Sequence, residues 1–237
     1  FFVIVMNLMQ IVPNSFVPAL FRLYYDCEED GQRCLVVSSA CSFVLVLAGI
    51  LTAVGLIGSR PFSVWLFSTA SFESLWQIVM WVGFLNSVAA LGMAILRARK
   101  ASWQFALVSV ISLAAQMFAI VYLVAVRSAG LAGVLYGYLI GAVVNVVFLL
   151  PFVIRDICLQ ISFVEVRKLF SYGWPFMPAE AMGFITQSAD RILLERFASL
   201  ALVGVYSLSQ KLSSVVSVLF ISPFSLIALP VFFSAEQ

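Results

Sequence analysis

Long apolar runs separated by short charged segments dominate the chain. Five runs contain no charged residue: Phe1–Phe21, Cys34–Ser59, Ser74–Leu96, Ala101–Val126 and Ser128–Ile154. Two more contain a single charge, Glu180 in Leu169–Ala189 and Lys211 in Phe197–Ala235. Each run reaches the roughly 20 residues with which a helix crosses about 30 Å of hydrocarbon. The pattern predicts seven membrane-spanning helices, the last of them long and bent.

Composition supports this assignment. Of the 237 residues, 63% are hydrophobic and 10% are charged, whereas soluble domains carry about 25% charged residues. The mean hydropathy is +1.11. Long unbroken apolar runs favour helices over the short alternating segments of a β-barrel. The predicted fold class is therefore an all-α membrane protein, a polytopic bundle whose partner is the lipid bilayer. The basic residues lie at helix ends, so the net charge of +2 predicts no nucleic-acid partner.

The basic residues are shared unevenly between alternate connections. One set holds Arg22, Arg33, Arg97, Arg99, Lys100, Arg155, Arg167 and Lys168; the other holds Arg60, Arg127, Arg191 and Arg196. Because Lys and Arg in short loops are retained on the cytoplasmic side, the first set is predicted to face the cytoplasm. The chain opens with Phe1 inside an apolar run and has no basic segment before it. We therefore expect a missing N-terminal segment rather than a signal peptide.

Two predicted cytoplasmic connections are long. Leu23–Arg33 is predicted to form an acidic loop. Arg155–Lys168 is predicted to form an amphipathic stretch along the membrane surface, with Ile157, Ile161 and Val164 on one side. The second is predicted to separate two helical bundles. The cysteines, and the absence of His, provide no ligand set with metal-binding spacing. We expect all four cysteines to act as small apolar residues, and no metal or other cofactor.

Polar residues inside the runs are the candidate functional residues. They form three stripes at helical spacing: Asn7, Gln10 and Asn14; Glu180, Gln187 and Arg191; and Ser207, Gln210, Lys211, Ser214 and Ser217. A charge at membrane depth costs at least about 2.5 kcal/mol and normally faces protein or water, so Lys211 favours a hydrophilic cavity. Hydrogen bonds between helices explain the Ser, Asn and Gln residues more readily. Asp190 and Arg191 fit an interfacial ion-pair cluster with Glu195 and Arg196 equally well.

Several segments resemble a known family. They are Leu169-Phe-Ser-Tyr-Gly-Trp-Pro-Phe-Met-Pro178, Ser188-Ala-Asp190-Arg191, Gly204-Val-Tyr206-Ser207 with Lys211-Leu212, Phe21-Arg22-Leu-Tyr24-Tyr25, and Gly130-Leu-Ala-Gly133-Val-Leu-Tyr-Gly137. Together they resemble Wzx-type polysaccharide flippases of the multidrug/oligosaccharidyl-lipid/polysaccharide exporter superfamily. The match is to helices two to eight of a protein with twelve or more.

The resemblance implies two helical bundles around a cationic cavity. It divides the chain into 1–154 (first bundle, lacking its first helix), 155–168 (cytoplasmic surface linker) and 169–237 (start of the second bundle). It also implies a transporter, not an enzyme, in the bacterial inner membrane. The substrate would be undecaprenyl-pyrophosphate-linked oligosaccharide, flipped to the outer leaflet by alternating access. The predicted substrate-binding residues are Arg22, Asp190, Arg191, Lys211, Gln187 and Gln210.

Three other functions stay open. A multidrug or cation-coupled exporter of the superfamily should place carboxylates inside the first-bundle spans, and those runs contain none. A peptidoglycan-precursor flippase would share the cationic cavity. A membrane glycosyltransferase or polymerase would need acid–base or metal-binding residues gathered at one interface, and the chain has no His and no paired-Asp motif.

Overall fold

The computed structural model describes residues 2–27, 29–59, 73–154, 158 and 162–197, together with residues 205, 206, 209 and 213. These ranges contain seven α-helices: α1 (Phe2–Asp26), α2 (Asp30–Ile57), α3 (Glu73–Ala98), α4 (Ser102–Val121), α5 (Gly130–Val153), α6 (Phe163–Gly173) and α7 (Met177–Phe197). A π-helical turn, Tyr122–Val126, extends α4, and a 3-10 turn, Trp174–Phe176, joins α6 to α7. Chain contacts divide the protein into two compact units, Phe1–Phe184 and Ile185–Gln237.

The first five predicted spans are confirmed. Among the described residues, five helices are long and apolar enough to cross a membrane, and they correspond to α1, α2, α3, α4 with its π-helical turn, and α5. The fold class is therefore an all-α, polytopic membrane protein. The predicted seventh span, Phe197–Ala235, lies almost wholly outside the described residues.

The predicted sixth span differs from the structure. The run Leu169–Ala189 is not one helix, because α6 ends at Gly173 and α7 begins at Met177 after the 3-10 turn. Pro175 lies at the start of that turn and Pro178 in the first turn of α7. Proline has no backbone N–H, so it fits the first turn of a helix but interrupts a continuous one.

The predicted acidic loop is also shorter than expected. α1 continues to Asp26 and α2 begins at Asp30, so the connection Leu23–Arg33 is mostly helical. Glu29 is the extended residue immediately before α2. Acidic side chains at a helix N-terminus are favoured by the helix dipole, which explains why the acidic stretch starts a helix here.

α3 is the central helix of the first unit. It packs against α1, α2, α4 and α5, and 61% of its spanning window is buried, against 17–39% for the other four spans. One cluster of buried residues joins it to α1, α2 and α6 and includes Phe16, Leu20, Val37, Val44, Ile95 and Leu169. A second cluster includes Met9, Trp76, Val82 and Leu135.

α4 and α5 form a close helical hairpin. Gly133, Gly137 and Gly141 lie four residues apart on α5 and face α4. A Cβ atom on Gly137 would lie 3.0 Å from the backbone N of Ile120. Small residues at this spacing let membrane helices approach closely, since association in lipid depends on packing rather than on the hydrophobic effect.

Candidate functional site

The most distinctive surface of the first unit is a polar face of α1. Asn7, Asn14, Pro18 and Arg22 are all exposed, and their spacing of seven, four and four residues returns to one side of the helix. We call these four residues the α1 polar face. It runs along a membrane-spanning helix and ends in a guanidinium near the Asp26 end.

Several other polar side chains in the spans bond to backbone carbonyl groups, whereas Gln104 Oε1 and Asn145 Oδ1 are buried without a hydrogen-bond partner in the described part of the chain. Ser15 Oγ donates to the Ile11 carbonyl oxygen at 2.6 Å, and Ser87 Oγ to that of Gly83 at 2.8 Å. Gln10 Nε2 reaches the Gly83 carbonyl oxygen of α3 at 3.4 Å, which fits the expected role of interhelical hydrogen bonding. Asn7 and Asn14 are instead exposed. Polar groups at membrane depth normally face protein or water rather than lipid, so the α1 polar face requires a protein or aqueous neighbour.

Arg22 is held at the end of this face by two contacts. Its guanidinium carbon lies 4.4 Å from the ring centroid of Tyr172 on α6. Its Nε lies 3.9 Å from Asp26 Oδ2, and the two side chains are 61% and 66% exposed. Ion pairs this exposed contribute little. The Arg22 guanidinium therefore remains exposed, while its contact with the Tyr172 ring defines its orientation.

A cavity of about 430 Å³ lies near Arg22. Its polar lining includes Asp26, Gln32, Glu165, Lys168 and Tyr172. Lys168 Nζ donates to Glu165 Oε1 at 2.7 Å, and this bond raises the pKa of Lys168 above its ordinary value. Both signs of charge line this cavity, so it is less suited to a highly charged anion than the α1 polar face.

Cys27 lines the same cavity. Burial raises the pKa of its thiol, and the nearby carboxylate of Glu165 raises it further. Arg33 Nε donates to the Cys27 carbonyl oxygen at 3.0 Å, which closes the turn between α1 and α2. A thiol with a raised pKa is a weak nucleophile at neutral pH, so Cys27 has a structural role in this wall.

The expectation that all four cysteines act as small apolar residues is wrong for two of them. Cys34 of α2 and Cys158 form a disulfide across 124 residues, with their Cα atoms 5.7 Å apart. The same segment is tied to α2 twice more. Ser38 Oγ donates to the Cys158 carbonyl oxygen at 2.5 Å, and the Ser162 N–H donates to Ser39 Oγ at 3.1 Å. Cys158 and Ser162, which precede α6 in the chain, are thereby fixed to α2.

α6 is docked on the bundle by aromatic packing. Phe170 packs against Phe16, Phe43 and Trp174, with ring centroids 5.6 to 6.4 Å apart. Leu169 is buried, whereas Phe163 and Val164 are 85% and 63% exposed. One side of α6 packs on α1 and α2, and Phe163 and Val164 form an exposed apolar surface elsewhere on the helix. Ile157 and Ile161 of the predicted surface stretch lie outside the described residues.

The structure describes some of the predicted site residues more fully than others. Arg22 is the one whose side-chain surroundings are described. Gln187, Asp190 and Arg191 lie on α7, where the backbone alone is described at these positions; Gln210 and Lys211 lie outside the described residues. The helical backbone of α7 is continuous from Met177 to Phe197, so Gln187 and Arg191 share one helix face. Sequence reasoning did not identify Tyr172 as the neighbour of Arg22, because no local pattern links residues so far apart.

Within the described ranges, five helices long and apolar enough to span a membrane define a polytopic α-helical membrane protein. Residues 4–237 match the family described as polysaccharide biosynthesis protein. The chain belongs to that family, and this places it in polysaccharide biosynthesis or export. No curated protein and no solved structure matched the chain.

Proposed function

We propose that this protein is a flippase that moves undecaprenyl-pyrophosphate-linked oligosaccharide across the bacterial inner membrane by alternating access. It would act as a transporter and not as an enzyme. Family membership supports a role in polysaccharide biosynthesis or export. The observation that carries the proposal is the α1 polar face, which presents two amides and a guanidinium on a helix that spans the membrane.

The chemistry of this face suits the substrate. A lipid pyrophosphate brings several negative charges, and Arg binds phosphate oxygens by charge-assisted hydrogen bonds. Asn amides both donate and accept, so Asn7 and Asn14 can meet sugar hydroxyls of different orientation. Arg22 would receive the pyrophosphate at the cytoplasmic end, and the glycan would pass along the amides.

The remaining predicted residues complete this proposal. We divide the chain into a first bundle (1–154), a cytoplasmic surface linker (155–168) and the start of a second bundle (169–237). We propose that Gln187, Asp190 and Arg191, with Gln210 and Lys211, also contact the substrate.

Export of surface glycan from a strain lacking its own flippase tests the proposal in the full-length protein. Arg22→Ala and Lys211→Ala should each lower export per membrane-inserted protein by roughly 10-fold or more, since a hydrogen bond to a charged group contributes about 1.5–3 kcal/mol. Lys211→Arg should retain part of the activity because the charge remains. Arg127→Ala is the matched control, as Arg127 is an exposed arginine outside the predicted site. Normal export by both alanine variants would overturn the cationic role, and a loss explained by lower protein level would favour a structural one.

A further inference from the structure

A narrow apolar crevice lies between α2, α3 and α5. It encloses about 120 Å³, and residues from all three helices line it, among them Val44, Gly92, Leu149 and Val153. α2 and α5 both pack against α3, and the crevice is the gap left between them. Gly92 has no side chain, which lets Leu149 approach the α3 backbone. The crevice is therefore built into the helix packing.

The crevice opens toward the surroundings of the bundle. Leu45 and Leu150 line it and are 43% and 46% exposed. Both belong to helices that can span a membrane. Hydrocarbon chains are thus the molecules that surround this opening.

Positive charge lies at one end of the crevice. Arg99 Nη1 donates to the Phe152 carbonyl oxygen at 3.4 Å, and Phe152 precedes Val153 of the crevice wall. Arg99 and Lys100 are both exposed. Arg99 follows Gly92 by seven residues, or about 10 Å along a helix. The apolar crevice matches the acyl chain of an anionic lipid, and the basic residues at its end match the negatively charged headgroup.

We propose that the crevice holds a segment of one acyl chain of an anionic phospholipid from the bilayer, with its phosphate on Arg99 and Lys100. Apolar cavities of about 150 Å³ stay dry and bind hydrocarbon, and this crevice is of similar size. Basic residues at a membrane surface favour anionic lipids, by about fivefold in affinity for each residue. The bound chain fills the gap between α2 and α5. This resident-lipid site does not depend on the transported substrate.

Photo-crosslinking of the full-length protein in nanodiscs tests the site. The probe is phosphatidylglycerol with a photoactivatable acyl chain, compared with phosphatidylcholine and a polyprenyl phosphate carrying the same group. Labelling of the peptides that contain Leu45 and Leu150 should favour phosphatidylglycerol. Leu45→Trp fills the opening and should lower this labelling, while the control Val46→Trp, also exposed on α2, should not.

Arg99→Gln provides an independent measurement at the surface, where folding is little affected. It should remove most of the preference for phosphatidylglycerol over phosphatidylcholine, and Arg127→Gln should leave it unchanged. Equal labelling in Leu45→Trp and Val46→Trp, or an Arg99→Gln variant with its preference intact, would overturn the site. Preferential labelling by the polyprenyl phosphate would also overturn the phospholipid assignment, whatever the outcome of the export assay.

Discussion

Arg22 of α1 lies over the ring of Tyr172 of α6, with 4.4 Å between the guanidinium carbon and the ring centroid. This contact joins the last turns of a membrane-spanning helix to α6, the helix that follows the first five spans. It directs the Arg22 cation at the end of the α1 polar face. The relationship gives Tyr172 a positioning role for the proposed substrate contact.

Replacing Tyr172 should therefore weaken transport modestly. An exposed cation–π contact contributes about 0.5–1 kcal/mol, so Tyr172→Leu should lower glycan export about two- to fivefold. Tyr172→Phe keeps the ring and should remain near normal. Tyr122→Leu, at an exposed aromatic position of the π-helical turn, is the control. Equal export by the Leu and Phe variants would exclude the positioning role.

The α1 polar face should be accessible to water. Asn14→Cys, in a chain whose free Cys27 and Cys41 are replaced by Ser, should react with a water-soluble thiol reagent above background, because the reactive thiolate forms in water. Val110 lies on α4, which can also span the membrane, and its side chain is 66% exposed. Val110→Cys should face lipid and stay unreactive. Similar reaction rates at both positions would show that the α1 polar face is no more accessible to water than a lipid-facing surface, and would contradict the prediction.

The parts of the fold that depend on a single local property were predictable from the sequence. The spans of α1 to α5 follow from uninterrupted apolar length, which the bilayer imposes on each segment separately. The break before α7 was harder to predict, because the apolar run continues across it while Pro175 and Pro178 change only the backbone. Pro13 and Pro18, by contrast, lie inside α1 without ending it.

Contacts between distant segments were not predictable. Cys34 and Cys158 are 124 residues apart, and nothing in their local sequences distinguishes them from Cys27 and Cys41, which are free thiols. The helical spacing of Asn7, Gln10 and Asn14 marked a polar stripe. It could not separate Gln10, which bonds to α3, from its exposed neighbours, because that distinction depends on where α3 packs.

The Cys34–Cys158 disulfide should stabilise the purified protein. A cross-link closing a loop of about 100 residues contributes up to about 4.7 kcal/mol by constraining the unfolded chain, and typical values are about 2–4 kcal/mol. Cys34→Ser should lower the thermal unfolding midpoint in detergent, and a reductant should lower that of the unmodified protein equally. Cys41→Ser should change it little. A midpoint insensitive to reductant would contradict this role.

The disulfide also tests orientation. Basic residues predict that this end of the bundle faces the cytoplasm, where thiols are kept reduced. Rapid alkylation of intact cells should therefore find Cys34 and Cys158 reduced, with the disulfide formed on purification. Engineered cysteines at Gln32 and Ser102 should resist an impermeant reagent added outside. An oxidised pair in cells, with strong outside labelling, would reverse the orientation.

Cys27 should titrate above an ordinary thiol. Burial and then Glu165 raise its pKa from 9.0, so its alkylation rate should reach half-maximum above that pH, and Glu165→Gln should shift the midpoint downward. Because the folded pKa exceeds the unfolded one, the contribution of Cys27 to stability is full below pH 9.0 and is lost as pH rises through the folded value. Gln32→Glu on the same cavity should shift the midpoint upward. A midpoint at 9.0 in all three proteins would contradict the burial.

Gly137 should be required for the close approach of α4 and α5. A Cβ there would meet Cγ1 of Ile120 first and would also lie 3.0 Å from the backbone N and 3.1 Å from the Cα of Ile120. The side chain can rotate away, but the helix backbone cannot. Gly137→Ala should therefore destabilise the protein by about 1–3 kcal/mol through overpacking, despite the higher helix propensity of Ala.

Gly49→Ala is the matched control. Gly49 lies within α2, and a Cβ there would meet nothing within 4 Å. In this variant propensity acts alone, so stability should stay equal or rise by up to about 1 kcal/mol. Thermal unfolding in the same detergent, with helix content followed by circular dichroism, measures both changes. If Gly137→Ala is as stable as Gly49→Ala, the α4–α5 contact is looser than the structure shows. If Gly137→Ala alone is destabilised, close contact with Ile120 is the cause, since both variants add the same methyl group to a spanning helix.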